Sequence, residues 1–120
     1  MLKSARQGGV PKFAAISTQY GSLEMVEKLP GQSSAYAISK AALNMFLRHI
    51  AYEERKHGIV AIPIHPGVVA TETVEPLAKR IGLGTIAPSE SIEGMMKLVD
   101  GAKVDDEVKL WRYDGVVLPW

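Results

Sequence analysis

The chain has 120 residues, enough for one domain of modest size, and its 14 basic and 13 acidic residues leave a formal net charge of +1. This balance gives no electrostatic reason to expect a nucleic acid or an anionic membrane as partner. The absence of cysteine excludes disulfides and thiolate metal sites, and the three histidines, His49, His57 and His65, lack the spacing of metal ligands.

No segment is typical of a secretory leader or a membrane span. The opening residues, MLKSARQGGVPKF, lack the apolar core of a signal peptide, and no apolar run approaches the ~20 residues that cross a bilayer. A cysteine-free chain of this kind also fits a reducing compartment. We therefore expect a cytoplasmic protein.

Short apolar runs alternate with longer amphipathic or apolar segments, and glycine or proline separates them. In chain order we predict the end of a helix at 1–7, a strand at 12–17, a loop at 20–33, a helix from a cap at Ser33 or Ser34 to Lys56, a strand at 59–65, a short helix near 75–81, a helix that Pro88 opens and Gly101 ends, and a strand at 108–111.

The alternation of strands and helices indicates the fold class. The runs KFAAIS and IVAIPIH are continuously apolar, which is typical of parallel strands covered by helices on both faces. The chain is therefore expected to be α/β, with about three parallel strands in a small doubly wound sheet. Pro63 lies within the second strand, where it removes one hydrogen-bond donor.

Tyr36 and Lys40 lie four residues apart at the start of the long helix, within SSAYAISKAALN. Four residues is about one turn, so both side chains rise from the same face. A free tyrosine has a pKa of about 10, whereas a neighbouring ammonium and a helix N-terminus both favour the phenolate. The pair is thus a candidate general acid and base, although this spacing also arises by chance in many helices.

Three motifs in this order resemble the short-chain dehydrogenase/reductase family: ISTQYGS after the first strand, YAISK on the helix, and HPGVVAT after the second strand. The resemblance covers essentially the whole chain, and the closing YDGVVLPW is similar to fungal carbonyl reductases of the norsolorinic acid ketoreductase-like group. It implies an NAD(P)-dependent oxidoreductase of small carbonyl or alcohol substrates. It also implies that residues 1–120 are a single C-terminal portion of a Rossmann-type domain.

The family resemblance assigns roles to individual residues. It implies that Tyr36 donates a proton to the substrate carbonyl, and that Lys40 lowers the pKa of that phenol and binds the nicotinamide ribose. Without the resemblance, the HPGVVAT stretch indicates only a turn that ends a strand, followed by a threonine cap. The implied cofactor-binding residues are Tyr36, Lys40, Pro66, Gly67, Val69 and Thr71.

The family also has a serine whose hydroxyl polarises the substrate carbonyl, about a dozen residues before the tyrosine. Thr18 occupies its place in the pattern T-Q-Y-G, and a threonine hydroxyl can donate the same bond, but 18 residues separate it from Tyr36. Ser22 is nearer, and Ser17 is expected to point to the other side of the strand. We favour Thr18, then Ser17, then Ser22. All three can instead be turn hydroxyls that bind local backbone.

Several family features do not occur in these 120 residues. No strand followed by a glycine-rich turn precedes Phe13, and the N-N-A-G motif and the helix asparagine of the proton relay are absent. Asn44 does not replace them. We therefore expect no pyrophosphate or adenosine site in this chain, which leaves NAD and NADP open. The segment 72–88, where the substrate lid is expected, carries no readable specificity.

Two functions are consistent with this pattern. The first is a fragment of an NAD(P)-dependent carbonyl reductase with little activity alone. The second is a non-catalytic chain that associates with a full-length relative through its apolar helix. A sugar epimerase or dehydratase shares the Y-x-x-x-K spacing, but HPGVVAT and the tail argue against it.

The strand at 12–17 is expected to expose an unpaired edge, so the chain should be marginally stable and prone to associate. The long helix is the expected homo-oligomer contact of the full-length relative.

Overall fold

A computed structural model of the chain describes residues 9–31, 33–104 and 107–120, so the helix end predicted at 1–7 lies outside the described residues. The strands are β1 (Lys12–Ile16), β2 (Val60–His65), β3 (Leu110–Arg112) and β4 (Val117–Leu118), and the helices are α1 (Ser34–Glu54), α2 (Val74–Arg80) and α3 (Pro88–Gly101).

The sheet has the order β1-β2-β3-β4, with β1, β2 and β3 parallel and β4 antiparallel to β3. The predicted α/β class and the three parallel strands are therefore confirmed. The fourth strand was not predicted, because a two-residue strand within YDGVVLPW carries too little periodicity to be recognised. It is nevertheless anchored, since Leu118 is buried opposite Leu110 and the Trp120 ring lies 4.3 Å from the Arg48 guanidinium carbon.

The first strand is less buried than its sequence indicates. It ends at Ile16 rather than Ser17, and the side chains of Phe13 and Ile16 are 36% and 52% exposed. The physical reason is its position: β1 lies at the end of the sheet order, and no further strand pairs with its outer side in the described ranges. The expectation of a buried strand is thus wrong for its side chains, whereas the expected open edge is present.

The long helix begins and ends close to the predicted positions. Ser33 is its N-cap residue, but only the backbone carbonyl acts, accepting from the Ala37 amide at 2.9 Å, and the Ser33 hydroxyl makes no capping bond. A short 3-10 turn follows at Arg55–His57, and Gly58 ends it in the left-handed conformation with φ 72°. Glycine adopts this conformation without the steric cost that a Cβ brings.

Helices cover both faces of β2. Val60, Ile62 and Ile64 pack against α3, while alternation along the strand directs Pro63 and His65 toward the face that α1 covers. Asn44 and Leu47 are the two buried residues of α1, the helix that covers this face of the sheet. Both faces of the central strand are therefore covered, as the continuous apolar run predicts.

Pro63 causes no lost bond between β1 and β2. The Val60 amide donates to Pro11 O and the Ser17 amide donates to Ile64 O, so even-numbered residues of β2 bond toward β1. The backbone groups of odd-numbered β2 residues, including Pro63, point toward β3. The pairing of β2 with β3 begins only at Ile64, opposite Trp111. The proline nitrogen thus lies just before the β2–β3 ladder starts.

Candidate active site

The carboxyl ends of the parallel strands meet at one edge of the sheet, where ligands bind in open α/β folds. Thr18 follows β1 at this edge, and the Pro66–Gly67 turn follows β2. Lys40 of α1 reaches the same place, because its Nζ donates a hydrogen bond of 2.9 Å to the carbonyl oxygen of Ile16. The residues predicted from three separate motifs are therefore brought to one edge.

The T-Q-Y-G turn packs tightly against α1. Thr18 is the N-cap of the short 3-10 turn Gln19–Gly21, and its Oγ1 accepts a hydrogen bond of 3.3 Å from the Tyr20 amide. A Cβ built on Gly21 would lie 2.8 Å from the carbonyl carbon of Lys40, so only glycine allows this approach. The buried Thr18 hydroxyl thus makes the predicted local bond, while its own proton has no acceptor in the described part of the chain.

The two alternative hydroxyls are engaged elsewhere. Ser17 is buried and its Oγ donates to Asn44 Oδ1 at 2.5 Å, on the side of the sheet that α1 covers. The Ser22 hydroxyl is also buried and accepts a hydrogen bond of 3.1 Å from the Met25 amide. Ser17 therefore uses its proton on Asn44, whereas the Thr18 and Ser22 hydroxyls each accept from a local amide and keep a proton to donate. The place of Thr18 in the T-Q-Y-G pattern is what favours it over Ser22.

Asn44 has a structural role that the sequence analysis did not assign. Besides accepting from Ser17, its Nδ2 donates to the carbonyl oxygen of Gly21 at 3.3 Å. Asn44 therefore binds both the end of β1 and the T-Q-Y-G turn. The spacing of Tyr36, Lys40 and Asn44, each four residues after the last, was the available signal, because it places all three along one side of the helix.

Tyr36 lies on the first turn of α1 between a cation and an aromatic ring. The Lys40 Nζ is 5.8 Å from its ring centroid, and the Tyr20 ring meets it edge-on with centroids 6.4 Å apart. Its side chain is 47% exposed at the sheet edge, which makes the phenol accessible to a ligand. An ammonium has three donors, and Lys40 uses one of them on Ile16 O.

The Pro66–Gly67 turn is held from several directions. The buried Ser91 of α3 donates from Oγ to Pro66 O at 2.6 Å, and the Tyr113 amide donates to His65 O at 2.9 Å. Gly67 has φ 83°, and a Cβ there would approach Tyr113 and Ile86 to 2.9 Å. Ser91 and Tyr113 are distant from this turn in sequence, so no local pattern indicates their contribution.

Backbone bonds fix the segment after this turn. Val69 forms a parallel bridge with Ile86, and its carbonyl accepts from the Thr71 amide at 2.9 Å. The Thr71 Oγ1 accepts from the Val74 amide at 3.2 Å, which is a local backbone bond just before α2, whose N-cap residue is Thr73. The Val69 amide has no hydrogen-bond partner within the described ranges, so a donor remains available there.

A buried imidazole lies beneath the turn. His65 is 5% exposed, and its Nδ1 has no hydrogen-bond partner in the part of the chain that is described. Burial, assisted by the charge of Arg112, lowers the pKa of His65 to about 4. Arg112 in turn binds Asp114 through two bonds of 2.8 and 2.7 Å, which lower the pKa of that carboxyl. His65 is therefore neutral near neutral pH.

Residues 9–31, 33–104 and 107–120 include no cluster of three or more His, Asp or Glu side chains that could hold a metal ion. Nor does any helix among them combine the length and apolar character that crossing a bilayer requires.

Comparison with known proteins assigns this arrangement of residues to a family. Residues 18–82 match the family model described as short chain dehydrogenase. The whole chain is 33% identical to C-signal of Myxococcus xanthus and covers 68% of it. It is 34% identical to a short-chain dehydrogenase of Neurospora crassa and covers 49% of that protein.

The solved structures give the same result. The NADPH-bound carbonyl reductase from chicken fatty liver superposes on this chain with a TM-score of 0.77 at 31% identity. The match covers 100% of this chain and 48% of that one. The chain thus spans about half the length of the Neurospora crassa relative and of this reductase.

Proposed function

Because the chain belongs to the short-chain dehydrogenase family, as its three motifs indicated, we propose that Thr18, Tyr36 and Lys40 catalyse reduction of a carbonyl compound with a nicotinamide cofactor. The reverse reaction is alcohol oxidation. The observation that carries this proposal is the Lys40–Ile16 hydrogen bond of 2.9 Å, because it brings the start of α1 to the strand end that Thr18 follows. Residues 1–120 are then the C-terminal portion of a Rossmann-type domain.

Each of the three side chains has a separate task. The accessible Tyr36 phenol gives its proton to the carbonyl oxygen during reduction and takes it back during oxidation. The Thr18 hydroxyl donates a hydrogen bond to the same oxygen and so stabilises the charge that develops there. Lys40, near the Tyr36 ring, stabilises negative charge on the phenolic oxygen when the proton has left.

The residues at this edge fit the nicotinamide end of an NADP molecule. The unpartnered Val69 amide can donate to the carboxamide, Thr71 and the Pro66–Gly67 turn lie beside it in sequence, and Lys40 has further donors for ribose hydroxyls. The cofactor, when bound, supplies a hydride to the carbonyl carbon. NADP is favoured over NAD because the chicken fatty liver carbonyl reductase, to which this chain is similar, has NADPH bound.

The adenosine half of the cofactor provides a test of how complete the site is. The 120 residues contain no glycine-rich pyrophosphate motif, so NADPH should bind this chain no more tightly than reduced nicotinamide mononucleotide, which lacks the adenosine half. Titration of both ligands into the chain, followed by calorimetry, measures the ratio of the two dissociation constants. A clear preference for NADPH would show that the chain has an adenosine site of its own.

The catalytic roles are tested by consumption of NADPH in the presence of a panel of aldehydes and ketones. Replacing Tyr36 by Phe removes the proton donor and should lower the rate by about 10²-fold or more. Tyr52→Phe is the matched control, because Tyr52 lies on the same helix and is 85% exposed. A rate that survives in Tyr36→Phe contradicts the proposed mechanism.

A second candidate function rests on the outer face of α1. Ile38, Met45 and Phe46 are 68%, 59% and 53% exposed, which is unusual for apolar side chains on one helix. On this alternative the chain does not catalyse and instead associates through α1 with a full-length relative. Absence of any NADPH turnover together with stable co-purification of a full-length relative favours this second function.

A further inference from the structure

Tyr20 contacts two of the three candidate catalytic residues, Thr18 and Tyr36, which come from different parts of the chain. Its amide donates to Thr18 Oγ1 at 3.3 Å, and its ring meets the Tyr36 ring edge-on at a centroid distance of 6.4 Å and an interplanar angle of 61°. Its phenol donates to the carbonyl oxygen of Pro30 at 2.9 Å, in the loop that leads into α1. One side chain thus joins the T-Q-Y-G turn, the loop and the helix start.

Tyr36 needs such support because of its place in the helix. It is the third residue of α1, whose N-cap Ser33 makes no side-chain bond to the free amides of the first turn. Uncapped first turns fray, since their amides lack helical partners. The residues from 33 to 36 are all exposed, so little packing restrains this turn from the solvent side.

Tyr20, in contrast, belongs to a segment that cannot move freely. Gly21 lies against the Lys40 backbone without space for a Cβ, and the Gly21 carbonyl accepts from the buried Asn44. The ring of Tyr20 is partly buried, and that burial, together with the neighbouring Tyr36, raises the pKa of its own phenol. Tyr20 therefore stays protonated near neutral pH and keeps its bond to Pro30 O.

We propose that Tyr20 is a positioning residue of this site: its ring holds the Tyr36 phenol in place, while its backbone amide, which any residue but proline would supply, binds the Thr18 hydroxyl. The proposal rests on the proposed function for its catalytic meaning. Its structural part stands on the contacts of Tyr20 alone. Edge-to-face aromatic pairs favour one ring orientation, so loss of the Tyr20 ring frees Tyr36 to adopt others.

The test uses the chain with ¹³C-labelled tyrosine rings and NMR spectroscopy. In the wild type, nuclear Overhauser contacts should join the Tyr20 and Tyr36 rings. Tyr20→Leu should shift or broaden the Tyr36 ring signals, Tyr20→Phe should keep them near their wild-type positions, and Tyr52→Leu should leave them unchanged because Tyr52 is 85% exposed on the same helix. Absence of the contact between the two rings in the wild type overturns the proposal even if Tyr20→Leu does not fold.

Turnover supplies a readout that a merely structural role would not change. Tyr20→Leu should lower kcat about three- to tenfold with little effect on KM for NADPH, and Tyr20→Phe should restore it, because the ring rather than the hydroxyl faces Tyr36. An equal kcat in Tyr20→Leu and wild type overturns the catalytic part. Absence of turnover in the wild type contradicts the proposed function instead, while the ring contact still decides the role of Tyr20.

Discussion

Ser17 and Asn44 form a buried hydrogen bond of 2.5 Å that joins the carboxyl end of β1 to the middle of α1. The Asn44 Nδ2 donates a hydrogen bond to Gly21 O. One side chain therefore fixes the helix to both the strand end and the T-Q-Y-G turn. The position of Lys40 relative to Thr18 depends on this attachment, because Lys40 precedes Asn44 by one helical turn.

We predict that removal of Asn44 destabilises the chain more than removal of Ser17. Asn44→Ala leaves the Ser17 hydroxyl and Gly21 O without partners in a buried place, which should cost about 1–3 kcal/mol of the free energy of unfolding. Urea unfolding of Ser17→Ala, Asn44→Ala and the double variant measures the coupling between them. Additive effects of the two substitutions would show that the Ser17–Asn44 bond contributes nothing measurable.

Most elements of the fold could be predicted from the sequence, because they have local signals. The strands at 12–17 and 59–65 and the helix from Ser33 were predicted closely, because apolar continuity and the Gly58 stop are local signals. The burial of β1 and the pairing of β4 were not predicted correctly, since both depend on neighbouring strands.

In the site too, residues with a local sequence signal were predicted, and contacts between distant segments were not. Tyr36 and Lys40 are recognisable from their spacing and Gly67 from its turn, whereas the bonds of Ser91 and Tyr113 to residues 65–66 join segments far apart in sequence. The spacing of Asn44 after Lys40 indicates only its side of the helix, because its partners Ser17 and Gly21 lie on another segment of the chain. Its role becomes clear only when β1 and α1 are placed side by side.

Stability should fall as the pH is lowered from about 6.5 to about 4, because of His65. Its pKa is lowered to about 4 in the folded chain, whereas an unfolded histidine titrates near 6.5, so the unfolded state takes up the proton first. The effect approaches about 3 kcal/mol below pH 4 and is absent above pH 7. Urea unfolding at a series of pH values measures it.

The control variants separate His65 from other groups. His65→Gln should remove most of the dependence on pH in this window, whereas His57→Gln, at a position with a 59% exposed side chain, should retain it. Asp114, whose pKa is lowered by Arg112, loses its stabilising contribution only below its ordinary value of 3.8, in a more acidic range. An unchanged pH profile in His65→Gln contradicts the assignment.

Gly94 allows α3 to approach the segment after β3. A Cβ on Gly94 would lie 2.3 Å from the Tyr113 carbonyl oxygen, so Gly94→Ala must push the helix and this backbone apart and should destabilise the chain by about 1–3 kcal/mol. Gly101→Ala is the matched control at the end of the same helix, where nothing lies within 4 Å of the added Cβ. It should be neutral or slightly stabilising. Equal melting temperatures for the two variants would argue against close packing at Gly94.

The exposed apolar face of α1 predicts self-association of the isolated chain. Ile38 and Met45 lie two turns apart on one side of the helix and are 68% and 59% exposed, so burial against a second copy removes apolar surface from water. The double variant Ile38→Glu, Met45→Glu should therefore be monomeric at concentrations where the wild type associates, as measured by sedimentation velocity.

The control for this prediction is Leu77→Glu on α2, which adds the same charge at a 52% exposed apolar position away from α1 and should leave association unchanged. The open edge of β1 offers a competing contact, because its outer backbone groups have no strand partner in the described ranges. Association that persists in the α1 double variant but is lost in Phe13→Lys would assign the contact to β1. A wild-type chain that melts cooperatively as a monomer would contradict both contacts, since neither exposed surface would then drive assembly.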